Sequence, residues 1–391
     1  MKLLKLTLIL SVSVLLAGCR EKAISVNVKG EIDSIVSKWI PVAEEGIGSF
    51  SLIPATGKNY VLKGETNIPG AKDEVVNYLK NAGVAFTDSV VLLPDPTKVD
   101  KPWGIVTLSV CNMRGAASHS AELVTQAIMG TPVEILKKED GWLLIQTPDS
   151  YIGWTNDDAI AELSGDELNE WKNSNRIICT TNYGNITDKD GGVVSDLVYG
   201  AILVKTGEKS REYEIVLPDG RKGFIRKDIS KDFVTWAKHG DPVPSEMISF
   251  ARTLLGTPYL WGGTSTKGVD CSGFVKTIYF TNGVILTRDA SSQYMYGTEV
   301  PLETGWKGMT PGDLLFFGSM RDGKKRITHV GMYIGDSEVI HSSGMVKINS
   351  LDPQRQNYSK HLDSTLLGAK RFIGAPSGKG NMQVLNHNWY F

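Results

Sequence analysis

The run Gly268-Val269-Asp270-Cys271-Ser272-Gly273-Phe274-Val275 decides how the last third of this 391-residue chain folds. It opens as a turn and closes as the start of a helix. Phe274, Val275, Ile278 and Tyr279 recur at helical spacing, and Asn282-Gly283 is a stop signal. Asp270 is an N-cap side chain of the favoured kind. Cys271 therefore falls in the first helical turn, where free backbone N–H groups and the positive dipole end favour a thiolate and its oxyanion. Gly, Asp and Ser surround the thiol, a poor setting for a cysteine that merely packs under a helix. A helix N-terminus and a neighbouring imidazolium can lower a thiol pKa to roughly 3.5–7.5, so the sequence predicts a reactive nucleophile.

Two histidines follow. Thr328-His329-Val330-Gly331-Met-Tyr-Ile334 reads as a strand, and Glu338-Val-Ile-His341 as its hairpin partner. A three-residue loop at Gly335-Asp336-Ser337 pairs Ile334 with Glu338 and sets His341 opposite Gly331. His341 is then diagonal to His329 on the same sheet face, within reach of a long side chain. A two-residue loop would put the rings on opposite faces, so the spacing allows a Cys–His–His relay without requiring it. Ahead of the nucleophile stands Gly256-Thr-Pro-Tyr259-Leu-Trp261-Gly262-Gly263. Before that comes a helix expected from Ser245 to Leu255, with Ser245 as its cap. Asp241-Pro242-Val243-Pro244 reads as a linker, because two prolines disfavour helix.

An internal repeat organises the middle of the chain. An offset of seventy residues relates Gly130 to Gly200, Pro148-Asp149 to Pro218-Asp219, Gly153-Trp154 to Gly223-Phe224 and Asp158 to Asp228. Self-similarity of this kind marks a repeated unit. Each unit reads as short alternating strands split by turns such as Asp140-Gly141 and Asp219-Gly220. Two small β-barrels are expected, at 101–168 and 169–238. Residues 20–100 hold helical stretches, Glu31 to Trp39 and Lys72 to Lys80, in a mixed region whose fold the pattern leaves open.

Lys2 and Lys5 flank an apolar run from Leu6 to Leu16 that ends in Leu16-Ala17-Gly18-Cys19, the pattern of a secretory signal rather than a transmembrane span. Leu-Ala-Gly-Cys resembles a bacterial lipobox, which implies a signal segment at 1–19 cleaved before Cys19 and lipidation of the Cys19 thiol and its new amine. The mature chain is then expected to be a monomer tethered to a membrane of the cell envelope. Cys111 and Cys179 lie in apolar, strand-like runs and read as small buried thiols. No Cys/His spacing suggests a metal, and no cofactor is expected. A net charge of −1 without a basic tract gives nucleic-acid binding no electrostatic basis.

Asp-Cys-Ser-Gly-Phe-Val, Pro311-Gly-Asp313-Leu-Leu-Phe-Phe317, Thr-His-Val-Gly-Met-Tyr-Ile-Gly-Asp and Ile-His-Ser-Ser-Gly together resemble the NlpC family of papain-like cell-wall cysteine peptidases. The resemblance implies a multidomain protein: an α+β catalytic domain at 245–391, preceded by two SH3-like (SH3b) barrels and the N-terminal mixed region. It implies Cys271 as nucleophile, His329 as general base and acid, His341 as its orienting partner and Tyr259 as a donor to the oxyanion.

Two SH3b units ahead of such a domain resemble the YkfC-type γ-D-glutamyl-L-diamino acid endopeptidases, which cut murein peptides carrying a free N-terminal L-Ala. In that group the first barrel closes the cleft, and acidic groups and a Tyr hold the ammonium. The segments around Glu122 and Tyr151, and Arg288-Asp289-Ala290-Ser291, resemble those that supply them. Asp289 and Ser291 then join Asp270 and Ser272 in the subsite. Tyr151 aligns with Arg221 in the repeat, so the barrel itself does not require an aromatic there. Barrels that target the enzyme to intact peptidoglycan, a non-catalytic wall-binding lipoprotein and an acyl transferase acting on lipids are the competing readings.

Overall fold

Asp270 caps the helix Cys271–Thr281: its carboxylate accepts the Gly273 N–H at 2.7 Å, and Asn282 and Gly283 end the helix. The computed structural model describes residues 28–391 apart from Lys58, His239 and Thr304. The expected signal sequence and Cys19 lie outside the described residues. The chain divides into two compact units, one up to Asp95 and one from Pro96 onward.

The first unit resolves the region that the sequence left open. A helix spans 28–39, and the strands Gly48–Pro54, Tyr60–Thr66 and Phe86–Leu92 form one sheet. The second and third strands run parallel, which requires a crossover, and the helix Pro69–Asn81 supplies it. Ala71, Val75 and Leu79 repeat every four residues along that helix, and Val75 and Leu79 join Leu62 and Val90 in the core. The alternation of Ser49 and Ser51 with Phe50 and Leu52 was the sequence signal for the first strand.

In the second unit the repeat is structural. The first barrel sheet spans 103–163 and the second 176–232, and corresponding strands follow the same order in both seven-stranded sheets. The matching short 3-10 turns Asp157–Ala159 and Lys227–Ile229 hold Asp158 and Asp228 at equivalent places. Gly130 and Gly200 both take positive φ, at 82° and 91°, which favours glycine at the turn entering the fourth strand. Cys111 and Cys179 are free thiols buried in the two barrel cores.

The C-terminal domain opens on the helix Pro244–Thr253. Pro244 occupies its first turn, where a missing N–H costs nothing, so Ser245 lies inside the helix and is not its cap. The domain's main sheet is six-stranded and antiparallel, in the spatial order Thr298–Val300, Leu366–Arg371, Leu314–Arg321, Lys324–Gly335, Glu338–Ser343, Met345–Ser350. The helix Cys271–Thr281 covers one face through Phe274, Val275 and Ile278 against Phe316, Val330, Met332 and Ile340. Leu315, Phe317, Tyr333 and Val339 point the other way, toward Leu351 and Leu362. The last residues return to the barrels: Val384, Tyr390 and Phe391 pack with Ile105, Ile178 and Phe233, and Arg176 donates to the Tyr390 carbonyl at 2.8 Å.

Candidate active site

Cys271 is 8% exposed at the start of its helix. The backbone N–H groups of Val330 and Ser272 act on the thiol in favour of its anion. Those donors pull the thiol pKa down, but burial and the adjacent Asp270 carboxylate outweigh them and push it up to about 11. The sequence argument, which weighed only the helix end and a charged imidazole, pointed the other way. Burial lowers His329 to about 3, helped by the positive potential of His341, His361 and Lys347. Both shifts favour the neutral forms, a thiol and an imidazole.

The two histidine rings meet, by a route other than the expected loop. Gly335 pairs with Glu338 across a two-residue turn in which Asp336 and Ser337 both have positive φ. A bulge at Ile334 then shifts the register by one, so Met332 faces Ile340 and His341 falls opposite Gly331. His329 Nε2 lies 2.8 Å from His341 Nδ1, with the rings at 80°. Gly331 is required there: a Cβ would come within 2.6 Å of Val339 Cγ1 and 2.9 Å of His341 Cβ. Beyond His341 the series continues to Asn349, whose Oδ1 is 3.0 Å from His341 Nε2 and whose Nδ2 donates to the Asn357 carbonyl at 3.1 Å. Sequence reasoning missed Asn349. Its signal was its place two residues after Lys347, the cross-strand neighbour of His341.

Both barrels grip the hairpin that leads into Cys271. Thr264 donates its N–H and its hydroxyl to Gln126 of the first barrel, at 3.0 and 2.8 Å. Thr266 donates to the Asn182 carbonyl of the second barrel at 2.6 Å, and Tyr183 donates to the Thr266 carbonyl at 2.7 Å. Lys267 bridges the two, bonding Ser109 at 3.0 Å and pairing with Asp196. Gly262, at φ +80°, passes so close to the first barrel that a Cβ would sit 2.4 Å from the Leu123 carbonyl.

Asp270 and Ser272 are engaged internally. Asp270 also accepts the Gly262 N–H at 3.0 Å and forms a buried ion pair with Arg288, which donates to the Ser272 hydroxyl at 2.8 Å. Sequence reasoning gave Arg288 itself no role. It is 2% exposed, and its Nε donates to Thr125 of the first barrel at 3.0 Å. The carboxylate of Asp289 lies 3.9 Å from the same guanidinium, and Tyr151, buried in the barrel wall, adds to its electrostatic surroundings. Glu122 accepts the indole N–H of Trp261 at 2.7 Å. Ser291 is exposed, whereas its neighbour Ser292 is buried. Burial, with Cys271 and Asp270 nearby, raises the Tyr259 phenol well above its usual range, so it stays an O–H donor. Among the described residues no His/Cys/Asp/Glu cluster could hold a metal, and no helix is long and apolar enough to cross a membrane.

Residues 256–367 match the NlpC/P60 family, and residues 113–160 match the bacterial dipeptidyl-peptidase Sh3 domain. The sequence is 30% identical over 237 residues to the gamma-D-glutamyl-L-lysine dipeptidyl-peptidase of Bacillus cereus, covering 58% of this chain and 68% of that one. The chain belongs to the NlpC/P60 family. Dipeptidyl-peptidase 6 of Lysinibacillus sphaericus is 28% identical over 282 residues, 67% of this chain and 96% of that one. The crystal structure of an NlpC/P60 family protein from Bacillus cereus shares the fold, with a TM-score of 0.60 at 24% identity over 69% of this chain and 99% of that one. The protein is thus a cysteine peptidase of the NlpC/P60 family with an SH3-like domain. A thiol and an adjoining pair of histidines are groups that acyl transfer through a thioester can use.

Proposed function

We propose that the protein hydrolyses the bond between γ-D-Glu and the L-diamino acid of murein peptides that carry a free N-terminal L-Ala. The observation that carries this reading is the construction of the first barrel into the site, through Thr125 on Arg288 and Glu122 on Trp261. A cleft walled by a barrel admits short peptides and excludes longer chains. Glu122, Tyr151 and Asp289 are placed on this reading around the peptide's ammonium, where carboxylates give charge-assisted hydrogen bonds. Two named dipeptidyl-peptidases support it, because matches of 237 and 282 residues are too long for the catalytic domain alone.

In this mechanism Cys271 sulfur attacks the γ-carbonyl carbon while His329 takes the thiol proton. The oxyanion is held by the Cys271 N–H and the Tyr259 hydroxyl. His329 then passes its proton to the departing amine, and the C–N bond breaks to leave a thioester. Water, deprotonated by His329, hydrolyses the thioester and releases L-Ala-D-Glu, returning the proton to sulfur. His341 orients His329 throughout. The resemblance of residues 16–19 to a lipobox supports a lipid anchor at Cys19 and a place in the cell envelope.

Incubation with L-Ala-γ-D-Glu-L-Lys and its meso-diaminopimelate counterpart, followed by mass spectrometry, tests the proposal. The dipeptide L-Ala-D-Glu and the free diamino acid are expected. Failure to release that dipeptide from either peptide would overturn it.

A further inference from the structure

We infer that Asn349 is a positioning residue that fixes where the protons of the histidine pair reside, so that His329 offers a bare Nδ1 to the thiol. The series of bonds begins at a group with no choice of role. The Asn357 carbonyl can only accept, so the Asn349 NH2, 3.1 Å away, faces it and donates. The amide is thereby oriented, and its oxygen is the atom 3.0 Å from His341 Nε2. An amide oxygen accepts, so His341 carries its proton on Nε2.

A neutral imidazole has one donor and one acceptor nitrogen. With its proton on Nε2, His341 presents Nδ1 as an acceptor to His329 Nε2, 2.8 Å away. His329 therefore donates from Nε2, which uses its single N–H, and its Nδ1 keeps a lone pair. Both rings must be neutral for this sequence to hold. Burial lowers the pKa of each, the Asn349 oxygen raises that of His341, and the positive charge of Lys347 lowers both, so the net shift of each is downward. His341 cannot impose the arrangement alone. In its other tautomer Nδ1 would donate, His329 Nε2 would accept, and an N–H would face the thiol where a base is needed. Asn349 touches no reacting atom and acts through His341.

The inference rests on the reading of Cys271 and His329 as nucleophile and base, but its first test does not depend on the substrate. The full chain labelled with 15N-histidine holds six histidines, and His329→Ala and His341→Ala identify the two signals in a long-range 15N–1H spectrum. The wild-type spectrum should show His329 and His341 each protonated on Nε2 and bare on Nδ1. Asn349→Leu, which removes the acceptor, should lose that single pattern and lower kcat on L-Ala-γ-D-Glu-L-Lys by tenfold or more, with KM within about twofold. Asn349→Gln, which keeps a neutral amide with both an acceptor and a donor, should recover part of the pattern and of kcat. His329 protonated on Nδ1 in the wild type would overturn the inference. So would equal losses in the Leu and Gln variants with the wild-type pattern intact, since that result describes a merely structural residue. Absence of peptide cleavage by a wild type that shows the expected spectrum would count against the proposed substrate and leave the tautomer assignment standing.

Discussion

Arg288 and Thr125 are 163 residues apart in sequence, yet the Arg288 Nε donates to the Thr125 hydroxyl at 3.0 Å. The same buried guanidinium pairs with Asp270, the cap of the nucleophile's helix, and bonds Ser272. One side chain therefore ties the barrel wall to the turn that presents Cys271.

Removing that side chain strands the Asp270 carboxylate in the interior. Arg288→Met should cost about 3–5 kcal/mol, the range for breaking one side of a buried ion pair. Thr125→Val leaves a single buried N–H without its acceptor and should cost about 1–3 kcal/mol. Thermal melts of both variants check the ranking. A Thr125→Val loss equal to that of Arg288→Met would mean the ion pair contributes nothing beyond the neutral bond.

Only one of the three described cysteines lies in the site. Cys271→Ala should abolish turnover with the fold retained, because the covalent pathway is gone. Cys111→Ala and Cys179→Ala empty part of a barrel core and should cost stability, about 0.5–3 kcal/mol. Their folded fractions should keep their specific activity, and comparable losses in all three folded variants would contradict the assignment of Cys271.

The pH dependence of the thiol follows from its burial. With the Cys271 pKa pushed up to about 11 and His329 down to about 3, the neutral pair persists across the physiological range. The rate of iodoacetamide labelling in the free enzyme should therefore climb with pH through the range above the free-thiol value of about 8.5. The sign is fixed: burial penalises the anion, so reactivity grows as hydroxide overcomes that penalty. A plateau reached below pH 7 would instead reveal a preformed thiolate–imidazolium pair.

Gly331 tests the histidine contact without altering any polar group. In Gly331→Ala the new methyl would lie 2.6 Å from Val339 Cγ1 and 2.9 Å from His341 Cβ, pushing the hairpin strands apart. Overpacking of this kind costs about 1–3 kcal/mol of stability, and kcat should fall at least tenfold as His341 leaves His329. Unchanged kcat at a lowered melting temperature would detach the relay from catalysis.

What could be read beforehand divides along a physical line. The nucleophile helix was legible because capping and helical spacing are local, and Asp270 does cap it. The repeat was legible because an equal offset survives in sequence, and the two barrel sheets share one strand order. The His329–His341 contact was reached from a wrong turn length, since a two-residue turn and a bulge shift register by the same amount as a three-residue loop. Arg288 and the grip of Gln126, Asn182 and Asp196 on residues 264–267 were hidden because their partners lie far away in sequence. Asn349, by contrast, lies only eight residues from His341 and was missed because the strand that carries it was not read. The sequence argument for the thiol left burial out for a related reason: burial is set by the whole domain, whereas a helix end is visible in eight residues.

The central claim is that the barrel wall makes this enzyme a reader of free amines. Its most direct measurement compares kcat/KM for L-Ala-γ-D-Glu-L-Lys with that for the N-acetylated peptide, in the wild type and in Glu122→Gln and Asp289→Asn. Acetylation removes the charge that two carboxylates would bind, and a hydrogen bond to a charged group contributes about 1.5–3 kcal/mol. At about 1.4 kcal/mol per tenfold, the free peptide should be preferred on the order of a hundredfold or more. Each carboxamide variant should narrow the gap by harming the free peptide more. Equal cleavage of free and acetylated peptides, unchanged in both variants, would contradict the account and make the barrels a device for reaching intact peptidoglycan.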